Sequence, residues 1–177
     1  MSLKHAILVL LETEPSSGYD LLKQFKKSLG YFWNAKHQQI YQQLKILTED
    51  GLIACETEQQ GSKPDKKIYK ITLKGIEEIR SWLTFPVEPN KINDALLVKL
   101  YGGHLTNPDN LLSELIRHTS IHQQTLSKLL AIEETYLALP ENTQKRYYLP
   151  YITLRRGIIG EQAWLDWSQE AIRMIKK

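Results

Sequence analysis

The chain has 177 residues, 42% of them hydrophobic and 24% charged, with a formal net charge of +3. That composition is enough for a buried core and excludes a disordered, strongly charged chain or one that holds nucleic acid by overall charge alone. Residues 1–85 carry 12 Lys/Arg against 10 Asp/Glu and residues 86–177 carry 11 against 10, so only local clustering can mark an anionic partner. The lone Cys55 excludes an internal disulfide. The apolar run from Ala6 to Leu11 is short for a signal-peptide core. No segment is apolar for long enough to cross a bilayer, so the expected location is the cytoplasm, with no membrane partner.

Leu3, Ala6, Ile7, Leu10 and Leu11 share one helical face, which predicts a first helix ending near Glu14-Pro15, because proline disfavours helical geometry in the residue before it. It is apolar nearly all round, so it belongs deep in a core or against a partner. Pro15-Ser16-Ser17-Gly18 reads as a turn with a serine cap. A second helix follows over Tyr19 to Leu29, burying Leu21, Leu22, Phe25 and Leu29, leaving Lys23, Lys26 and Lys27 in water, and closed by Gly30. Tyr31-Phe32-Trp33 reads as a hydrophobic plug.

The third helix lies within Trp33 to Ile53. Ile40, Leu44 and Leu47 point one way, and Gln38, Gln42 and Lys45 point the other, with Tyr41 on the flank. Amide and ammonium groups on an outward helical face suit base edges and phosphates in a major groove. Gly51 is expected as a left-handed cap. Beyond it the pattern becomes extended: Ile53 to Gln59, a turn at Gln60-Gly61-Ser62-Lys63-Pro64-Asp65, then Lys66 to Thr72, alternating β-branched and aromatic residues with lysines. This is a hairpin with a basic tip. Three helices and such a ribbon make the winged-helix layout, in which the third helix enters the groove and the ribbon reaches the flanking backbone. Thr72 opens a fourth helix with Ile76, Ile79, Trp82 and Leu83 as its buried stripe, and Gly75 implies close packing. Two prolines in Phe85-Pro86-Val87-Glu88-Pro89-Asn90 place a linker there.

The remainder reads as helical throughout. Asp94 to Tyr101 forms a short helix stopped by Gly102-Gly103. Asn107-Pro108 is a strong helix start, and Leu111, Leu112, Leu115, Ile121, Leu126, Leu129, Leu130 and Ile132 follow at helical spacing past Glu134. Pro140 ends that helix. A last one, from about Gln144 or Pro150, carries Leu154, Ile158, Ile159, Trp164, Leu165, Trp167, Ala171 and Ile175. Two long helices cannot enclose a core alone, so pairing with a second copy is expected, and a two-fold dimer would place two reading helices on a palindromic site. The expected architecture is mainly α with a β wing: a winged helix-turn-helix domain over residues 1–85, then an all-helical dimerisation domain over residues 86–177.

Ser17-Gly18-Tyr19-Asp20-Leu21, Leu29-Gly30-Tyr31-Phe32-Trp33, Gln39-Ile40-Tyr41 with Leu44 and Leu47, Asp50-Gly51-Leu52-Ile53, the wing from Gly61 to Tyr69, and Thr72 with Gly75 resemble the PadR family of transcriptional regulators. The C-terminal half resembles the helical domain of that family's longer branch through Asp94-Ala95-Leu96-Leu97-Val98-Lys99-Leu100 and Leu154-Arg155-Arg156-Gly157, with Trp164 and Trp167. The resemblance implies a homodimer that binds operator DNA, represses, and is often released by a small organic effector. It also implies DNA contacts from Tyr19, from His37, Gln38, Gln39, Tyr41, Gln42 and Lys45 on the third helix, and from Gly61, Ser62, Lys63, Lys66 and Lys67 on the wing. Lys36 stands where the family often has serine, so the usual helix cap is missing, and the wing is longer at Ser62-Lys63.

Of these, Lys63, Lys66 and Lys67 are expected to neutralise phosphates and Gln38 and Gln42 to read bases. Tyr147, Tyr148, Tyr151, Trp164 and Trp167 could line a pocket for an aromatic effector or simply pack the dimer core. A His-based metal sensor using His118 and His122 is a rival reading, but two histidines make a poor site. A winged-helix module used only for protein contact is another, against which the lysines of the wing argue. No nucleophile-base pair, phosphate-cradling loop or paired carboxylates appear, so no enzyme, catalytic residue, metal ligand set or cofactor is expected.

Overall fold

The computed structural model describes residues 3–31, 33, 35–58, 65–89 and 93–176, and the chain divides into two units, Met1–Asn90 and Lys91–Lys177. In the first, α1 (Leu3–Thr13), β1 (Ser16–Ser17), α2 (Gly18–Lys27), one tight helical turn over Leu29–Tyr31, α3 (His37–Glu49), β2 (Ile53–Glu58), β3 (Lys66–Ile71) and α4 (Leu73–Leu83) follow in order. The apolar faces of α1, α2 and α3 meet in one core of Ile7, Leu8, Leu11, Leu21, Leu22, Phe25, Ile40, Leu44 and Leu47, extended by Leu52, Ile53 and Ile79. The spacing places Leu21, Leu22 and Phe25 of α2 and the inner face of α3 as expected, whereas on α1 the core takes Ile7, Leu8 and Leu11, and Leu3, Ala6 and Leu10 are only partly buried.

The helix ends are held by local chemistry. Ser17 caps α2 by accepting from the Asp20 N–H at 3.1 Å, and Thr72 caps α4 by accepting from the Gly75 N–H at 3.1 Å. Gly51 has φ +70°, the left-handed cap expected after α3. A side chain at Gly75 would put its Cβ 2.2 Å from the Leu52 carbonyl oxygen, which explains why a glycine sits in the first turn of α4.

Four details differ from the sequence reading. Ser16 and Ser17, read as a turn, form a third strand against β3, pairing Ser16 with Tyr69 and Ser17 with Ile68. Turn residues join a sheet here because the edge of β3 offers free backbone groups. The sheet order is β1-β3-β2. Second, α2 stops at Lys27, where the Ser28 N–H reaches the carbonyls of Gln24 and Phe25, so Leu29 belongs to the following turn. Third, of the stripe expected on α4 only Ile79 is buried; Ile76 and Trp82 are half-buried and Leu83 is 67% exposed. α1 meets α4 through Lys4 and His5 against Glu78 and Trp82, and Leu83 follows the end of that contact. Fourth, His5, which the apolar spacing of α1 leaves off its buried face, is 8% exposed and stacks on Trp82 with ring centroids 4.4 Å apart.

In the second unit, α5 (Ala95–Tyr101) is capped by Asp94, and one turn over Gly103–Leu105 leads to α6 (Pro108–Leu137), α7 (Glu141–Arg146) and α8 (Tyr148–Ile175). Asn107 caps α6 as expected, with Pro108 at its first position. α6 and α8 run antiparallel: Thr119 meets Ser168, His122 meets Glu161 and Glu133 meets Tyr151. Leu115, Leu126 and Leu129 of α6 and Ile158, Leu165 and Ser168 of α8 are buried between them. Other members of the expected apolar set are not: Ile121 is 46%, Leu130 42% and Ile159 56% exposed. Two helices in contact cover only one stripe on each, so apolar residues outside that stripe stay open. Among the described residues, no helix is long and apolar enough to cross a membrane.

Candidate nucleic-acid interface

The outward side of α3 is set by the inward one. With Ile40, Leu44 and Leu47 fully or nearly buried, His37, Gln38, Gln39, Tyr41, Gln42 and Lys45 are exposed. Lysine has no acceptor, so Lys36 cannot cap α3 as a serine would. Instead the Gln39 carboxamide oxygen reaches back and accepts from the Lys36 N–H at 2.8 Å, half of a capping box supplied from inside the helix. Gln39 thus has a structural duty, and only its NH2 group remains fully available outward. Gln38 and Gln42 lie one turn apart on the same face. Lys45 faces Glu49 loosely, at 3.8 Å.

Tyr41 bridges α3 to α2. Its ring covers Gly18, where an added Cβ would lie 2.7 Å from Cε1, and it also meets the His37 ring with centroids 4.6 Å apart. Tyr19, 59% exposed, stands at the start of α2 with the Lys23 ammonium 4.9 Å over its ring. Tyr41 therefore seats the outward face of α3 beside the start of α2, where Tyr19 follows Gly18.

The wing joins that surface from β3. Cross-strand pairing sets Lys66 against Glu58, Lys67 against Thr57, Ile68 against Glu56 and Tyr69 against Cys55. Lys67 is exposed. Lys66 is not an open cation: its ammonium lies 2.8 Å from the Asp20 carboxylate of α2. Lys66, and then the Ser17 hydroxyl donating at 2.7 Å, hold the Asp20 carboxyl below its ordinary range. Asp20 raises the Lys66 ammonium in return. The sequence reading missed this pair because nothing in the spacing of residues 20 and 66 signals it. Gly61, Ser62 and Lys63 lie outside the described residues.

The aromatic residues of the second unit fall into separate clusters. Tyr151 stacks on Tyr136 at 4.1 Å, and its hydroxyl donates to Glu133, which also receives Arg155, both at 2.9 Å. Trp164 stacks on His122 at 3.7 Å with Trp167 edge-on at 5.4 Å, and His122 Nδ1 lies 2.6 Å from Glu161. Tyr151 and Trp164 are about 20 Å apart along the axis of α8, and Tyr147 and Tyr148 are exposed, so the five aromatics do not line one pocket. A groove of about 420 Å³ lies elsewhere, along Ile116, Ser120, Gln123 and Ser127 of α6 and Ile172 of α8. His118 and His122 have ring centroids 6.5 Å apart, and no group of three His, Cys, Asp or Glu among the described residues could hold a metal ion.

A three-helix core, a capped polar helix and a hairpin beside it define a winged helix-turn-helix regulator. Residues 7–81 match the transcriptional regulator PadR-like family, and residues 92–176 match the virulence activator alpha C-terminal family. The negative transcriptional regulator PadR of Bacillus subtilis is 34% identical over 99% of this chain and 98% of its own length. Its crystal structure in complex with operator DNA superposes with a TM-score of 0.80 at 33% identity, covering 98% of each chain. Its complex with p-coumaric acid gives 0.77 at 31% identity over 99% of each. The Vibrio cholerae virulence activator AphA gives 0.80 at 31% identity, covering 99% of this chain and 98% of its own. The chain belongs to the PadR-like family of transcriptional regulators.

Proposed function

We propose that this regulator is a homodimeric repressor that reads a palindromic operator. In this reading α3 enters the major groove, Gln38 and Gln42 contact base edges, and Tyr19, His37, Tyr41 and Lys45 border the groove. The wing follows the backbone through Gly61, Ser62, Lys63 and Lys67. The observation that carries it is the exposed row of Gln38 and Gln42 beside Tyr41 on a helix whose other side is the unit's core. Similarity to a regulator crystallised on operator DNA supports the same use of this surface.

Dimerisation through the second unit is supported by what its helices leave open. Ile116, Leu130 and Leu137, in register with Gln123 at heptad steps on α6, are 51%, 42% and 55% exposed. A second copy of the same helices is the simplest cover for that seam. Release by a small organic acid is supported by the p-coumaric acid complex of the B. subtilis relative. Selection of binding sites from random duplex DNA, with light scattering of the purified protein, tests the reading. Two inverted half-sites one or two helical turns apart and a dimeric mass are expected. Equal binding to every duplex, or a strictly monomeric chain, overturns it.

A further inference from the structure

We propose that Asp20 is a positioning residue of this surface: it anchors the root of the wing to α2 through Lys66, so that Lys66 orients the wing instead of neutralising a phosphate. The inference rests on the DNA-binding reading above. The main-chain tie between the N-terminal segment and β3 is only two residues long, Ser16 with Tyr69 and Ser17 with Ile68. At Gly18 the chain turns into α2, and the ladder stops. Lys66 lies two residues beyond Ile68 toward the tip and on the same strand face, and there the ion pair with Asp20 takes over at 2.8 Å.

The carboxylate is itself held. Ser17 donates its hydroxyl to Asp20 Oδ2 at 2.7 Å and accepts the Asp20 N–H at 3.1 Å, so the anion that Lys66 meets is fixed to the start of α2. Glu58 stands across the strand pair from the same lysine. Lys66 thus sits between two carboxylates, and a phosphate would have to displace the nearer one. Lys67, on the opposite strand face, is exposed and pairs across from the uncharged Thr57 where Lys66 has Glu58.

Salt dependence separates a lysine that releases counterions from one that does not. The probe is the duplex recovered by site selection. Lys67→Ala should flatten the slope of log affinity against log salt by about 0.9, the step for one lost phosphate contact. Lys66→Ala and Asp20→Ala should each weaken binding about two- to five-fold with the slope unchanged, the range an exposed ion pair supports. The double variant should lose no more than either single one. Hydroxyl-radical footprints should lose protection at the flanks and keep it at the half-site centre, a change that general destabilisation would not give. Asp20→Asn, which retains an acceptor, should fall between wild type and Asp20→Ala. A flatter slope in Lys66→Ala, tighter binding in Asp20→Ala, or losses that add would overturn the anchor while leaving the DNA-binding reading intact. A wild-type protein that selects no duplex ends that reading itself.

Discussion

Tyr41 lies over Gly18 so closely that a methyl group on Gly18 would sit 2.7 Å from its ring. A residue of the exposed α3 surface is therefore seated on the buried first residue of α2, and this contact sets how closely the two helices approach there. Gly18→Ala is expected to push the ring aside or spread the helices, costing about 1–3 kcal/mol as overpacking does. Because Tyr41 also contacts His37, operator affinity should fall as well. Thermal unfolding together with operator titration checks this, and an unchanged midpoint with unchanged affinity would mean that the ring swings clear at no cost.

Gln42 and Lys67 should fail in different ways. Removing the carboxamide in Gln42→Ala is expected to cost about 1–3 kcal/mol on the best operator and much less on a duplex altered at one base pair, because a base contact discriminates. Lys67→Ala should weaken binding to all duplexes alike. Competition assays over a single-substitution operator library distinguish them. A uniform loss for Gln42→Ala would assign that glutamine to the backbone.

The regular parts of this fold were written in local patterns. Ile40, Leu44 and Leu47 are buried as their spacing requires, Gly51 closes α3 and Asn107 caps the start of α6 as their chemistry predicts, and Thr72 and Asp94, read as the first residues of their helices, are the N-caps of α4 and α5. What stayed hidden was pairing across long sequence distance. Ser16 and Ser17 have turn composition, and only the presence of β3 makes them a strand. Lys66 looked like one more basic residue on a wing, whereas Asp20, nearly fifty positions earlier, takes its charge. His5 and Trp82 stack only because α1 and α4 lie together. Tyr147, Tyr148, Tyr151, Trp164 and Trp167 share aromatic character but not a place, because the rise of α8 keeps Tyr151 and Trp164 about 20 Å apart along its axis.

The open seam on α6 gives a test of assembly. Leu130 is 42% exposed and lies at a heptad step between Gln123 and Leu137. Leu130→Glu should leave the helical content of the chain unchanged, since glutamate is a good helix former. A charge buried at a dimer seam would be unpaired, so the dimer dissociation constant should rise by at least ten-fold, with operator binding falling in parallel. Sedimentation equilibrium of the two proteins measures it. An unaltered dimer would move the interface to another face, such as that of Ile152 and Ile159, which are 57% and 56% exposed.

Acid should find Glu114. Arg117 first and Lys99 second hold its carboxyl at about 2, against an ordinary 4.5. A carboxylate depressed in the folded protein contributes stability above its unfolded value. That contribution drains away as pH falls, because the unfolded chain takes up the proton before the folded one does. Between pH 4.5 and about 2, then, the stabilising contribution of this group shrinks progressively, and below that window it is gone. Asp20, Glu78 and Glu133 are also held below their ordinary values, so the wild-type curve alone would not isolate Glu114. The difference from Glu114→Gln does: the variant should show a shallower fall of the urea midpoint with pH across that window. Because the cluster is solvent-facing, added salt should shrink the gap between the two proteins. Parallel curves for both at low salt would mean that the Arg117 and Lys99 contacts do not persist in solution.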